Sequence, residues 1–108
     1  MTVTQLKDRL TLKEFCLPDP DRAVEAGYAG DLLSWVMGRA APSCAWLTIM
    51  SNANVCAVAV LADVACIILT EGVAPDEDLL SRCRTQGINL LGTEAGTFDT
   101  AAAIKALL

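Results

Sequence analysis

Residues 64–70 read Val-Ala-Cys-Ile-Ile-Leu-Thr, and this stretch is the strongest indication of fold in the 108-residue sequence. Its first six residues are all apolar, and β-branched Val and Ile make up half of them, which predicts a short β-strand. Apolar and polar residues do not alternate, so both faces of the strand are expected to be buried. That pattern is typical of a parallel sheet covered by helices.

The residues before this strand extend the same pattern. Residues 45–50, Ala-Trp-Leu-Thr-Ile-Met, predict a second strand that is buried on both faces. The apolar segment at residues 54–62 fits either a strand or a helix by its pattern alone. We predict a helix, capped by Ser51, Asn52 or Asn54, because two parallel strands need a crossover connection between them.

Helix and strand alternate again after residue 70. Residues 76–86 predict a helix, because the first turn is acidic, the last turn is basic and Gly87 follows as a stop signal. Residues 88–91 then predict a short strand, and residues 97–108 predict a final helix rich in alanine.

The first third of the chain carries weaker signals. The predicted elements there are a helix at residues 2–10 capped by a threonine, strands at 11–17 and 23–30, and a helix at 32–39. Asp31 is predicted to cap the last of these helices, and a role as a general base is the alternative. The apolar face of that helix is expected to pair Leu32 with Val36 and Leu33 with Met37.

These elements together define a fold class. From residue 23 onward, a strand followed by a helix occurs four times, which predicts an α/β fold with a mostly parallel sheet flanked by helices. No linker, low-complexity tract or internal repeat divides the sequence. Residues 1–108 are therefore expected to form a single domain.

Charge and hydropathy argue against several kinds of partner. The chain has 13 acidic and 8 basic residues, a net charge of −5, and no cluster of Lys and Arg. Nucleic acid and anionic membrane surfaces both require such a cluster, so neither is expected as a partner. The longest apolar stretch, residues 55–69, is interrupted by Asp63 and is too short to span a membrane. Residues 1–4 do not resemble a signal peptide, so a cytoplasmic protein is expected.

The residues that usually carry catalysis are scarce. The sequence contains no histidine, which is the commonest general base and metal ligand. Its cysteines are Cys16, Cys44, Cys56, Cys66 and Cys83, and none of them pair at the short spacing of a zinc or iron–sulfur motif. We interpret them as reduced core residues. No catalytic residue, metal or cofactor is expected, and a redox or cluster-carrying accessory protein is the alternative.

Several short motifs follow one another along the chain. They are Asp21-Arg22 with Val24 and Gly27, Gly30-Asp31-Leu32-Leu33, residues 65–72, the Pro75-Asp76 helix start and residues 87–93. Together they resemble the DRTGG domain family over nearly the whole length. One departure is Thr70-Glu71-Gly72, because the family often has Thr-Gly-Gly there. A carboxylate at that turn weakens the case for an anionic ligand beside it.

The resemblance implies an α/β fold like that of the N-terminal domains of HPr kinase/phosphorylase, MurE and MurF. It also implies an accessory role, since such domains are attached to phosphotransacetylases, CBS-pair regulatory proteins and other metabolic enzymes. Short stand-alone versions with a segment like residues 30–37 resemble proteins encoded beside iron-only hydrogenase subunits. The kinase activity of HPr kinase belongs to a separate P-loop domain, and this sequence has no P-loop pattern, so that activity is not expected.

Two polar loops form a candidate ligand site. The candidate ligand-binding residues are Ser51, Asn52 and Asn54 in one loop and Thr70, Glu71 and Gly72 in the other. Both loops follow predicted parallel strands, so they are expected at one edge of the sheet, where they would flank a small anion or nucleotide. The alternative is that these residues only cap helices and turn the chain.

A second candidate surface lies on the helix at residues 32–39. Trp35, with Leu32 and Met37, is a candidate protein interface, because Trp and Met are enriched at such sites. A partly buried core position for Trp35 is the alternative. The leading functional hypothesis is a non-enzymatic accessory domain, forming a homodimer and associating with a hydrogenase or another redox-enzyme subunit in redox or acetate-related metabolism. A sensor of a small anionic ligand or nucleotide is the second hypothesis.

Overall fold

The computed structural model describes all 108 residues and contains five helices and five strands. The helices are α1 (Val3–Leu10), α2 (Leu33–Arg39), α3 (Asn54–Ala62), α4 (Glu77–Gln86) and α5 (Thr97–Leu107). The strands are β1 (Lys13–Cys16), β2 (Ala26–Ala29), β3 (Cys44–Thr48), β4 (Cys66–Leu69) and β5 (Asn89–Gly92). Every predicted element is present, although β1 and β2 are shorter than the predicted segments 11–17 and 23–30.

The five strands form one sheet in the order β1-β5-β4-β3-β2. The neighbours from β5 to β2 are all parallel, whereas β1 pairs with β5 in the antiparallel direction. The predicted mostly parallel α/β sheet is thereby confirmed. β1 and β2 are consecutive in sequence, yet they lie at opposite edges of the sheet.

Helices cover both faces of the sheet. On one face, residues of α2, α3 and α4 share a core with Trp46, which is fully buried. On the other face, residues of α1 and α5 share a second core with Leu47. Successive side chains of β3 and β4 therefore enter different cores, which explains the unbroken apolar runs in the sequence. Truncating Trp46 to alanine is expected to cost about 3–5 kcal/mol of stability.

Local side-chain bonds fix the helix ends that the sequence predicts. The hydroxyl of Thr2 accepts the N–H of Gln5 at 3.1 Å, and the Gln5 side chain accepts the N–H of Thr2 at 2.9 Å, so α1 begins with a capping box. Asp76 accepts the N–H of Leu79 at 2.8 Å at the start of α4. Gly87 ends that helix with a φ of +73°, a conformation that favours glycine.

Arg22, from the Asp21-Arg22 motif, links the segment before β2 to the end of α3. Its guanidinium donates to the Ser43 hydroxyl at 3.1 Å, and to the backbone oxygen and carboxylate of Asp63 at 2.9 and 3.0 Å. Asp63 ends α3 in the left-handed conformation, with a φ of +55°. The motif residue Arg22 therefore has a structural role in this chain.

Asn89, at the start of β5, holds the loop after β1 against the sheet. Its buried amide donates to the backbone oxygens of Asp19 and Ala65 at 2.7 and 3.0 Å, and it accepts the N–H of Asp19 at 2.9 Å. Separately, none of the five helices is both long enough and apolar enough to cross a membrane.

Candidate functional site

The candidate ligand residues lie where the parallel strands end, as the sequence predicts for a parallel sheet. Thr70 is fully buried, and its hydroxyl lies 2.6 Å from that of Thr97 at the start of α5. The next two residues, Glu71 and Gly72, both adopt the left-handed conformation, with φ values of +60° and +74°. This turn therefore uses a conformation that costs free energy for the glutamate and none for the glycine.

The carboxylate of Glu71 occupies the beginning of α5. It accepts the N–H of Thr97 at 3.1 Å, while Gly96, the N-cap residue, has no side chain to do so. The backbone N–H groups of Glu71 and Gly72 donate to the carbonyl oxygens of Ala95 and Thr93, both at 2.9 Å. Because these donors are already engaged, the turn offers no free N–H cluster to an anion.

The loop after β3 has different neighbours. The carbonyl of Ser51 accepts the N–H of Asp76 at 3.1 Å, and the Asn52 side chain accepts the N–H of Asn54 at 3.0 Å. Ala53, directly before α3, already has helical backbone angles and makes no side-chain bond. Of the three predicted capping residues, Asn52 is the one whose side chain accepts an N–H of the first turn.

The two loops thus share an edge of the sheet without sharing a pocket. The first loop contacts the start of α4, and the second contacts the start of α5. Of the six candidate residues, only Gly72 lines either of the two main cavities. That cavity has a volume of about 290 Å³ and lies between Lys13 and Phe15 of β1 and Thr93 and Glu94 after β5. Sequence reasoning missed it because β1 joins these residues only through its antiparallel pairing with β5.

Asp31 does not cap α2, so that prediction is wrong. The N-cap is Leu32, without a side-chain bond. The Asp31 carboxylate turns to the neighbouring strand, where it accepts the Thr48 hydroxyl at 2.8 Å and the Ile49 N–H at 3.0 Å. The one sequence signal for this contact is Thr48, a polar residue within an otherwise apolar buried strand.

The exposed side of α2 carries the predicted interface residues. Leu32, Trp35 and Met37 are 58%, 52% and 51% exposed. The predicted apolar face of this helix is therefore wrong in part, because Val36 is buried while Leu32 and Met37 face solvent. The guanidinium of Arg39 lies 3.8 Å from the Trp35 ring centre in a cation–π contact.

All five cysteines are free and buried, as predicted. Burial raises the pKa of the Cys44 thiol to about 11 and that of Cys66 to about 12, and it also raises the pKa of Cys83. Thiols in this state are poor nucleophiles, because the thiolate is the reactive form.

The larger cavity is an apolar groove between β2 and α5, with a volume of about 790 Å³. Gly27 and Ala29 line it from the strand, and Ala101 and Ala102 line it from the helix. These small side chains leave the groove open. The sequence pattern did not reveal it, because its two walls are more than 70 residues apart along the chain.

Comparison with known proteins identifies the family. No curated protein matches the sequence. Among solved structures, the CBS and DRTGG domains of the regulatory region of Clostridium perfringens pyrophosphatase, in complex with the activator diadenosine tetraphosphate, are similar with a TM-score of 0.73 at 12% sequence identity. The match covers 94% of this chain and 44% of that one. This likeness confirms the α/β fold.

The DRTGG domain matches residues 37–107, which is about two thirds of the sequence. Asp21-Arg22, part of the resemblance described above, lies before the matched residues. Thr70, Glu71 and Gly72 lie within them. The chain belongs to the DRTGG domain family.

Proposed function

We propose that the chain is a non-catalytic regulatory domain that acts by binding other proteins. The observation that carries this proposal is the exposure of Leu32, Trp35 and Met37 on one short helix. The other tryptophan, Trp46, is fully buried and donates its indole N–H to the carbonyl of Gly30 at 2.9 Å. Trp35, by contrast, is half-exposed, and an exposed tryptophan among other apolar residues is typical of a surface that binds another protein.

The chemistry of this surface indicates what it would bind. Arg39 stacks on Trp35, and Trp and Arg are the residues that most often dominate binding energy at interfaces. A stacked guanidinium leaves its N–H donors free at the edge of the ring. The matching partner surface is an apolar pocket with an acidic rim.

We further propose that the partner is a subunit of a redox enzyme, such as an iron-only hydrogenase, in redox or acetate-related metabolism. The support is the resemblance of residues 30–37 to stand-alone members of the family. The test is calorimetric titration of the purified chain with a hydrogenase subunit under anaerobic conditions. Trp35→Ala is expected to weaken binding at least about 30-fold, the loss typical of a central aromatic contact.

Leu61→Ala is the matched control, because Leu61 is 71% exposed on α3, outside α2 and outside the groove between β2 and α5. Equal affinity of the wild type and Trp35→Ala would show that α2 is not the binding surface. If no redox-enzyme subunit binds, the proposed role in redox or acetate-related metabolism is rejected. The proposal that α2 binds another protein can then be tested with other partners by the same titration.

A second candidate function is the sensing of a nucleotide or a small anion. It is supported by the regulatory region of the pyrophosphatase, which is similar in fold and holds a nucleotide activator. The residues proposed to contact the ligand are Ser51, Asn52, Asn54, Thr70, Glu71 and Gly72. Glu71 opposes an anion at this edge, so Glu71→Gly is expected to bind more tightly than the wild type.

Thermal unfolding with diadenosine polyphosphates, mononucleotides and acyl phosphates tests this candidate. A ligand at about one hundred times its Kd would stabilise the chain by about 2.7 kcal/mol, which is readily measured as a rise in Tm. If neither the wild type nor Glu71→Gly shifts at millimolar ligand, the sensor hypothesis is rejected.

A further inference from the structure

The two edges of the sheet are built differently. β1, at one edge, carries the charged residues Lys13 and Glu14, and its register with β5 shifts between Glu14 and Cys16. Charges and irregular register are devices that prevent an edge strand from pairing with another chain. β2, at the other edge, consists of Ala-Gly-Tyr-Ala and pairs regularly with β3 over its four residues. It has no charge, proline or bulge, so nothing in its sequence opposes further pairing.

The backbone contacts before β2 show which groups face outward. The N–H of Val24 donates outward to the carbonyl of Met1 at 2.8 Å, whereas that of Glu25 donates inward to Ser43 at 2.9 Å. Because backbone groups alternate in direction along a strand, the N–H and C=O groups of Ala26 and Tyr28 point to the open edge. The N-terminal segment covers this edge only near Ala23 and Val24, so two residues remain without ladder partners.

The groove between β2 and α5 lies beside these open groups. Gly27 faces α5, since a Cβ built there would lie 3.9 Å from the Ile104 side chain. The helix presents Ala101 and Ala102 at the middle of the groove, and Phe98 and Leu108, which are 76% and 51% exposed, towards its ends. A small-residue centre with larger apolar ends allows close approach of a second helix.

We propose that a second copy of this chain occupies the groove, with the two β2 strands paired in antiparallel fashion about a two-fold axis at Gly27. In this register Ala26 lies opposite the partner's Tyr28, and both residues present their outward groups. Four backbone hydrogen bonds then join the two sheets into one. On the helical face, the same axis brings Phe98 towards the partner's Lys105, an arrangement that favours a cation–π contact.

The charges of the groove fit a two-fold occupant. Glu25 and Lys105 are its only charged residues, so the groove is neutral although the whole chain carries −5. In the proposed register the two Glu25 residues lie about 14 Å apart along the strands, as four residues of strand rise imply. That separation exceeds the screening length at physiological salt, about 8 Å. Association through this surface therefore avoids the repulsion that the acidic remainder of the chain would produce.

This inference deepens the proposed association function and rests on it, but it uses a surface other than that of Trp35. The first test is sedimentation analysis of the full chain from micromolar to millimolar concentration. We expect the wild type to form a dimer. Ala106→Glu is expected to leave the dissociation constant of this dimer unchanged, whereas Ala102→Glu is expected to raise it at least tenfold. Ala102 lines the groove, whereas Ala106 is exposed on the same helix outside it, so both variants add one charge to α5.

The second test fixes the register. Residues opposite each other on the axis form a pair without hydrogen bonds, with Cα atoms about 4.5 Å apart, a distance that a disulfide can span. Gly27→Cys treated with oxidised glutathione is therefore expected to give a covalent dimer, with release of reduced glutathione. Leu61→Cys, at an exposed position on α3, is the control and is expected to remain monomeric under denaturing conditions.

The outcomes separate this interface from the proposed function. A strict monomer, or a dimer that Ala102→Glu leaves intact and Gly27→Cys does not cross-link, overturns the β2 interface. A dimer lost on Trp35→Ala would place self-association on α2 instead and also overturns it. Binding of a redox-enzyme subunit by a monomeric chain would leave the proposed function standing without this interface.

Discussion

Glu71 provides the sharpest test of how the turn after β4 is stabilised. Two opposing contributions act at this residue. Its φ of +60° is unfavourable for a residue with a side chain, by about 1 kcal/mol. Its carboxylate accepts the Thr97 N–H at the start of α5, and a capping bond of this kind contributes about 1 kcal/mol. The two contributions are therefore expected to cancel approximately.

Three substitutions separate these contributions. Glu71→Gly removes both the cap and the backbone strain, so its free energy of unfolding is expected to lie close to that of the wild type. Glu71→Ala removes the cap but keeps the strain, so it is expected to be about 1 kcal/mol less stable. Glu71→Gln keeps an acceptor oxygen without the charge and is expected to lie between alanine and the wild type.

The measurement is urea unfolding at pH 7, followed by circular dichroism, together with the Tm of each variant. A difference of 1 kcal/mol corresponds to roughly 4–8 °C for a chain of this size, well above experimental error. Alanine as stable as glycine at this position would refute the assigned backbone strain. Alanine as stable as the wild type would refute the cap.

Three further predictions follow from buried or bridging groups. Asn89→Ala removes three hydrogen bonds at a buried site and is expected to lower the free energy of unfolding in urea by about 3 kcal/mol. Asn54→Ala, at an exposed position, is the control and is expected to lower it by less than about 0.5 kcal/mol. Equal losses in the two variants would contradict the bridging role of Asn89. Arg22→Ala is expected to lower the free energy of unfolding by about 1 kcal/mol, because it removes the bonds to Ser43 and Asp63. Arg22→Lys is expected to restore only part of this stability, since lysine lacks the planar donor groups of a guanidinium. Full stability of Arg22→Lys would show that the guanidinium geometry is not required. Burial raises the pKa of the Cys44 and Cys66 thiols, so both stay protonated in the folded state at a pH where they would ionise in the unfolded chain. The free energy of unfolding is therefore expected to be constant below pH 9 and to fall as the pH rises towards 11, by up to about 1.4 kcal/mol per pH unit for each thiol. If Cys44→Ala loses stability with pH as steeply as the wild type, Cys44 does not contribute to this loss.

The sheet, the start of α1 and both ends of α4 could be predicted from sequence because their causes are local. Burial of β3 and β4 on both faces leaves unbroken apolar runs that few other arrangements produce. The cap of α4 at Asp76 and its stop at Gly87 depend on contacts within four residues. The helix between β3 and β4 could be predicted because two parallel strands need a crossover connection, whereas the order of the strands in the sheet was not predicted.

The candidate site could be predicted only in its location, because its bonds join distant residues. Gly-Asp before an apolar helix has the same local pattern whether the aspartate caps the helix or, as Asp31 does, bonds to Thr48 in the next strand. Glu71 finds its partner Thr97 26 residues later. Each prediction made from neighbouring residues alone missed these contacts, since the chain must fold before the partners meet.

The strand order has a consequence for how the chain folds. The family match, residues 37–107, contains β3, β4 and β5, which are the three inner strands, whereas both outer strands come from the first 29 residues. A fragment that starts at Met37 would have two bare sheet edges and no α1, and we expect it to aggregate. β1 pairs only with β5, which lies more than 70 residues further along the chain, so this pairing forms only when both ends of the chain come together. The first and last parts of the chain are thereby joined in one cooperative unit, so unfolding is expected to be all-or-none and folding slow for a chain of this length.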